Sequence, residues 1–223
     1  DINDLENYMP QISFLTTLLG YMDTEKRSYN AFDTEVNFYT GGMSADAAIY
    51  CKNQGSDVYD IRLEVRVKML RDKVEKALDL LAEMMFETLF DDEKHLREVV
   101  AEARSRLKVR LMSAGHQAAA GRATASFSKS AWISDRYTGL GYYEYLRALD
   151  DDFEGQKEVL IQGAKALLGK IFKRERLIIS LTGQKAEYEA VEKEMPAFLE
   201  RLRAFEEKER ASENLDALTS YLI

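Results

Sequence analysis

Cysteine, histidine, proline and tryptophan are all scarce in this 223-residue chain: one Cys, two His, two Pro and one Trp. A single thiol, Cys51, excludes an internal disulfide and fits a reducing compartment. Two histidines fall short of a metal centre by themselves, because such a centre takes three or four protein ligands. His95 opens HLREV, where Val99 stands in the place of the second ligand of an inverted HxxEH motif. His116 lies in SAGHQAAAG with no nucleophile arrangement around it. Long apolar runs are also missing. The most apolar stretch, 77–90, contains Asp79, Glu83 and Glu87 and reads as a globular helix, so no membrane partner is expected. The first ten residues, DINDLENYMP, are acidic and polar and lack a signal-peptide pattern. A chain that opens on Asp is expected to be a piece of a longer protein. Without a Pro-, Gly- or Ser-rich stretch, nothing marks a linker between two domains.

Positive charge is in short supply. The net charge is −8, which excludes nucleic acid as the main partner, since phosphate binding needs surplus Lys and Arg. The charge is unevenly spread. Residues 103–130 hold Arg104, Arg106, Lys108, Arg110, Arg122 and Lys129 and no acid, a local +6 against −14 elsewhere. Two readings stand: a basic wall that meets a peptide or another domain, or a solvated face balanced by acids in space. The remaining motifs are bland. Cys51 reads as a small buried residue, Gly41-Gly42 lack any phosphate-loop context, and Met84 and Met85 read as core filler.

Periodicity sets the element order. Apolar residues at helical spacing predict a helix over 5–20, stopped by Gly20, and a shorter one over 28–40 carrying Phe32, Val36 and Tyr39 on one side. MSADAAIYCK (43–52) reads as a strand. IRLEVRVKM (61–69) alternates without a fault, which places Ile61, Leu63, Val65 and Val67 in the core and turns Arg62, Glu64, Arg66 and Lys68 outward. Helices are predicted over about 71–90 and 93–113, a helix with close packing over 114–128, a loop over 129–141, and helices over 142–149 and 153–170. RLIISLT (176–182) reads as a second clear strand. A last helix over about 184–208 is expected to break or kink near Pro196.

Four segments together resemble the presequence-protease branch of the pitrilysin/insulinase metallopeptidases: NFYTGGMSADAAIY (37–50), FDDEKHLREVVAEARSRLKVRLMSAGHQAAAGRA (90–123), GLGYYEYLRALD (139–150) and RLIISLTG (176–183). Each is weak alone, and their order and spacing carry the likeness over nearly the whole chain. The resemblance implies the peptidase-associated domain that opens the second half of a two-halved, peptide-enclosing enzyme. The implied fold is α+β, of the mitochondrial-processing-peptidase kind, with a mainly antiparallel sheet and helices packed on one face. In that frame residues 1–208 form the non-catalytic domain, its first strand missing, and 209–223 form a linker to a following domain.

In that family a zinc ion is held by HxxEH on the first helix of another domain and by a later Glu. Aligned on LLG, residues 18–20, this chain carries Gln11, Phe14 and Leu15 at the motif's three places. Those side chains cannot replace two imidazoles and a carboxylate. Glu102, in VVAEARS, is a possible relic of the later Glu, and its four-residue spacing to Arg106 fits a helical ion pair. The expectation is therefore a fragment without catalytic residues, metal or cofactor, whose parent uses zinc. Arg104, Arg106, Lys108 and Arg110 are its candidate substrate contacts. Its partners would be other domains of the same polypeptide and unfolded peptides, in a bacterial-type cytoplasm or an organelle matrix. The alternative is a stand-alone inactive peptidase-like binding or scaffold subunit.

Overall fold

A computed structural model describes residues 1–52 and 58–212. The apolar spacing at the N-terminus resolves into a 3-10 helix, Asn3–Tyr8, and helix α1, Met9–Leu18. Gly20 ends this stretch at φ +90°, a left-handed value that a side chain would strain. Helix α2 (Tyr29–Tyr39) buries Phe32 and Val36 as the spacing requires. Asp23, rather than the neighbouring Ser28, receives its first N–H, from Tyr29 at 2.8 Å.

Strands β1 (Met43–Cys51) and β2 (Tyr59–Val67) form a two-stranded antiparallel sheet. Its register is set at one end by Gly41 and Gly42 against Lys68, and at the other by Lys52 against Val58. The outer edge of β2 is partly covered. Ile2 donates its N–H to the Ile61 carbonyl at 2.9 Å, and the Asn3 amide bridges the Tyr59 carbonyl and the Ile61 N–H.

Seven further helices occur among the described residues: α3 (Val74–Phe86), α4 (Glu93–Ser113), α5 (Gly115–Thr124), α6 (Lys129–Thr138), α7 (Leu140–Asp151), α8 (Phe153–Ile171) and α9 (Lys185–Ser212). The fold class is α+β, with helix far in excess of strand.

Two compact units share the chain. The first holds 1–18, 45–64 and 92–164; the second holds 19–44, 65–91 and the described residues from 165 on. The hairpin and α8 each contribute residues to both. In the first unit α1, α4, α6 and α7 bury Ile12, Phe14, Leu15, Leu96, Val100, Ile133 and Leu146. In the second, α3 lies against α9, and the Phe86 ring meets Phe172, Phe198 and Phe205 at 5.5–6.0 Å. Buried Glu83 accepts a hydrogen bond from the Thr24 hydroxyl at 2.6 Å and pairs with Arg27 at 3.0 Å, which fastens the turn before α2 to α3.

Several expectations change. Of the alternating set on β2 only Ile61 is fully buried; Leu63, Val65 and Val67 are half-buried, and so are Arg62 and Glu64. The pattern alternates as read, but one partner strand gives it little cover. Residues 177–182, read as a strand, pair with no strand among the described residues and leave Ile178 67% and Ile179 50% exposed. A strand needs a neighbour to complete its ladder, and a β pattern cannot supply one. The predicted loop 129–141 is mostly helix α6, begun at Ser128, whose hydroxyl accepts from the Ala131 N–H, and ended at Gly139. Helix α5 buries none of its residues, against the close packing expected there. Cys51, read as buried, is exposed at the end of β1. Helix α9 continues through Pro196 without a break and reaches Ser212, so the start of the expected linker 209–223 is helical; residues 213–223 lie outside the described residues.

Candidate functional site

Helix α1 carries the positions that the resemblance equates with a zinc motif. Phe14 and Leu15 are fully buried in the apolar core of the first unit, and only Gln11 reaches a half-exposed surface. Glu102 lies on the exposed face of α4 with its carboxylate 3.6 Å from Arg106. Among the described residues no three His, Cys, Asp or Glu side chains are gathered as a metal would need. Two of the three motif positions face core rather than a cavity, so these residues do not fit a zinc ion.

The basic stretch is largely answered by acids from neighbouring helices. Arg104 donates to Asp150 at 2.6 Å and to Asp151 at 2.9 Å, which pushes its pKa up. Arg110 donates to the Thr138 carbonyl at 2.5 Å. Lys129 pairs with Glu6 at 2.8 Å; together with a hydrogen bond from Tyr59 this holds the Glu6 carboxyl below its ordinary range. Arg106, Lys108 and Arg110 remain exposed on α4, and Arg104 is half-buried.

Arg122 leads to a different feature. It reaches Asp135 at 2.6 Å and Glu144 at 3.4 Å, and Asp135 raises its pKa. Asp135, buried on α6, also accepts from the Leu140 and Gly141 N–H groups and so caps the start of α7. This knot forms one side of a cavity of about 500 Å³ among α1, α5, α6 and α7. Gln11, Trp132, Arg136 and Tyr145 also line it. Arg136 stacks 4.8 Å from the centre of the Trp132 ring, and Lys129 sits 4.6 Å from it. The Arg136 Nε–H and the Gln11 Oε1 are buried without a hydrogen-bond partner. Burial pushes the Tyr145 phenol up, and that of Tyr142 up to about 12.

Sequence reasoning named Gln11 but missed Trp132, Asp135, Arg136 and Tyr145. Its loop reading of 129–141 hid the helix that aligns them. Ser128 before the segment and Gly139 after it were the signal for that helix.

The sequence profile of the associated-domain family of the insulinase-type peptidases, subfamily C, matches residues 1–149, from the 3-10 turn through most of α7. The chain belongs to that family. Among curated relatives, it is 27% identical over 184 residues to Protein HypA of Clostridium perfringens, covering 82% of this chain and 19% of that protein. It is 27% identical over 207 residues to Presequence protease 1, chloroplastic/mitochondrial, of Arabidopsis thaliana, covering 91% of this chain and 19% of that one. Mitochondrial presequence protease of Danio rerio is 22% identical over 146 residues, covering 66% of this chain and 14% of that protein. The chain thus spans about a fifth of the length of the first two relatives. Among the described residues no helix is long and apolar enough to cross a membrane.

Proposed function

We propose that this chain is a non-catalytic domain of a zinc-dependent, peptide-degrading metalloendopeptidase, and that it forms part of the wall of the parent's substrate chamber. The observation that carries the reading is α1: in a chain of the peptidase-associated family, Phe14 and Leu15 sit in the apolar core at the positions the resemblance gives to a base and a ligand. Zinc and the activated water belong, in this reading, to another domain of the parent. The partners are the parent's other domains and unfolded peptides. The parent works in a bacterial-type cytoplasm or, as the relatives' names allow, an organelle. The fold is of the mitochondrial-processing-peptidase kind, and residues 177–182, rich in exposed apolar side chains, join its sheet in the full-length chain.

The cations left exposed on α4 decide the test. Arg104 is held by Asp150 and Asp151, so Arg106 and Lys108 are the residues to reverse. In the full-length enzyme Arg106→Glu with Lys108→Glu is expected to raise KM for acidic peptides and leave kcat nearly unchanged, because the lost contact is made equally in ground and transition states. The effect shrinks as salt is added. Unchanged KM for acidic and basic peptides alike would overturn the wall reading of this face.

A further inference from the structure

The cavity among α1, α5, α6 and α7 lies wholly in the first unit and is independent of the chamber reading. Its walls are polar, and their hydrogen-bond capacity is unevenly used. Asp135 and Glu144, the acids that line it, are both engaged by Arg122. Arg136 pairs with no carboxylate among the described residues. One of its Nη groups donates to the Asn7 carbonyl at a long 3.5 Å, its face rests on Trp132, and its Nε–H is buried without an acceptor. Stacking uses the face of a guanidinium and leaves its in-plane N–H groups to find partners. A buried donor without one is costly, and more so when it belongs to a charged group.

Gln11 presents a second unused group. Its Oε1 is buried and unpartnered at the wall of the same cavity. A half-turn of the amide exchanges that oxygen for an NH2 donor. Arg136 and Gln11 then offer two donors to one anionic group, beside an aromatic ring and with the local acids already neutralised. A neutral ligand would satisfy either orphan singly. An anion alone also supplies the counter-charge that Arg136 lacks.

We propose that this cavity is a carboxylate-binding site, in which Arg136 Nε–H and the Gln11 amide donate to a carboxylate of a peptide and Trp132 covers its stem. Two sources share this chemistry, a C-terminal carboxylate and an acidic side chain.

Trp132 is the single tryptophan of the chain and lines the cavity, so its fluorescence reads occupancy. The 223-residue chain is titrated with a blocked alanine peptide bearing a free C-terminal carboxylate, with its C-terminal amide, and with an amide carrying one internal Glu. A saturable change with a carboxylate peptide and none with the neutral amide is expected. A response to the first peptide alone assigns the C-terminal source, to the third alone the side-chain source, and to both a general carboxylate site. Arg136→Gln is expected to weaken binding by about tenfold or more, the loss of one charge-assisted bond. Gln11→Met, which keeps volume and removes only the amide, is expected to weaken it less and serves where Arg136→Gln fails to fold by circular dichroism. Equal binding of acid and neutral amide, no saturable change with either carboxylate peptide, or unchanged affinity in both folded variants would each overturn the assignment.

Discussion

Asp135 shows how much one buried side chain can organise. It neutralises Arg122, caps α7 and stands against two glycines. A Cβ at Gly139 would lie 2.6 Å from Asp135 Oδ1 and 2.9 Å from its Cα, distances no packed pair adopts. Gly139→Ala is therefore expected to cost about 2 kcal/mol or more in a urea titration. Gly163, inside α8, has nothing within 4 Å of the equivalent position, and Gly163→Ala is expected to stabilise by about 0.5–1 kcal/mol. Similar urea midpoints for the two variants would show that the turn into α7 is looser than drawn.

Tyr142 supplies a pH dependence. Burial raises its phenol from an ordinary 10.0 to about 12, so the folded chain holds this proton more tightly than the unfolded one. The stability gained is fully present below pH 10.0 and is lost as pH climbs toward about 12. Tyr142→Phe is expected to flatten that alkaline decline without abolishing it, because burial raises Tyr137 and Tyr145 as well. An alkaline decline of unchanged steepness in the variant would refute the assignment.

At the scale of elements, the hairpin separates pattern from cover. Ile61 is fully buried where Ile2 and Asn3 close the edge of β2, whereas Val67, further along the same strand, is half-buried. Ile61→Asp is expected to destabilise by about 3 kcal/mol or more and Val67→Asp by roughly half as much or less, read from thermal or urea melts. Equal losses would mean that alternation alone sets burial. Helices α2, α4, α7 and α8 were legible because their apolar spacing coincides with a face that some neighbour covers. Helix α6 was not, because Trp132 and the flanking glycines favour a loop reading. Its helical state depends on the Ser128 cap and on Asp135, whose partners Arg122, Leu140 and Gly141 lie outside the segment.

For the whole molecule, the metal question can be put directly. With Phe14 and Leu15 in the core and no three-ligand cluster among the described residues, the chain is expected to hold no stoichiometric zinc after exhaustive dialysis. One tightly retained zinc per chain in elemental analysis would contradict this and would require ligands outside 1–52 and 58–212. The basic stretch takes a different meaning at this scale. Its +6 is a property of sequence counting, because Asp150, Asp151, Asp135 and Glu6 return negative charge to the same surfaces.

The sequence by itself determined the helical stretches, the hairpin, the absence of a disulfide and the family, because spacing, composition and motif order are local or cumulative signals. It also located the degenerate motif at Gln11, Phe14 and Leu15. Only the tertiary structure decided which alternating residues are covered, that 177–182 stands without a strand partner among the described residues, and which cations are neutralised. It alone brought Gln11 and Arg136 to one cavity. These outcomes depend on contacts between residues far apart in the chain, and no local propensity encodes what the fold will place beside a given side chain.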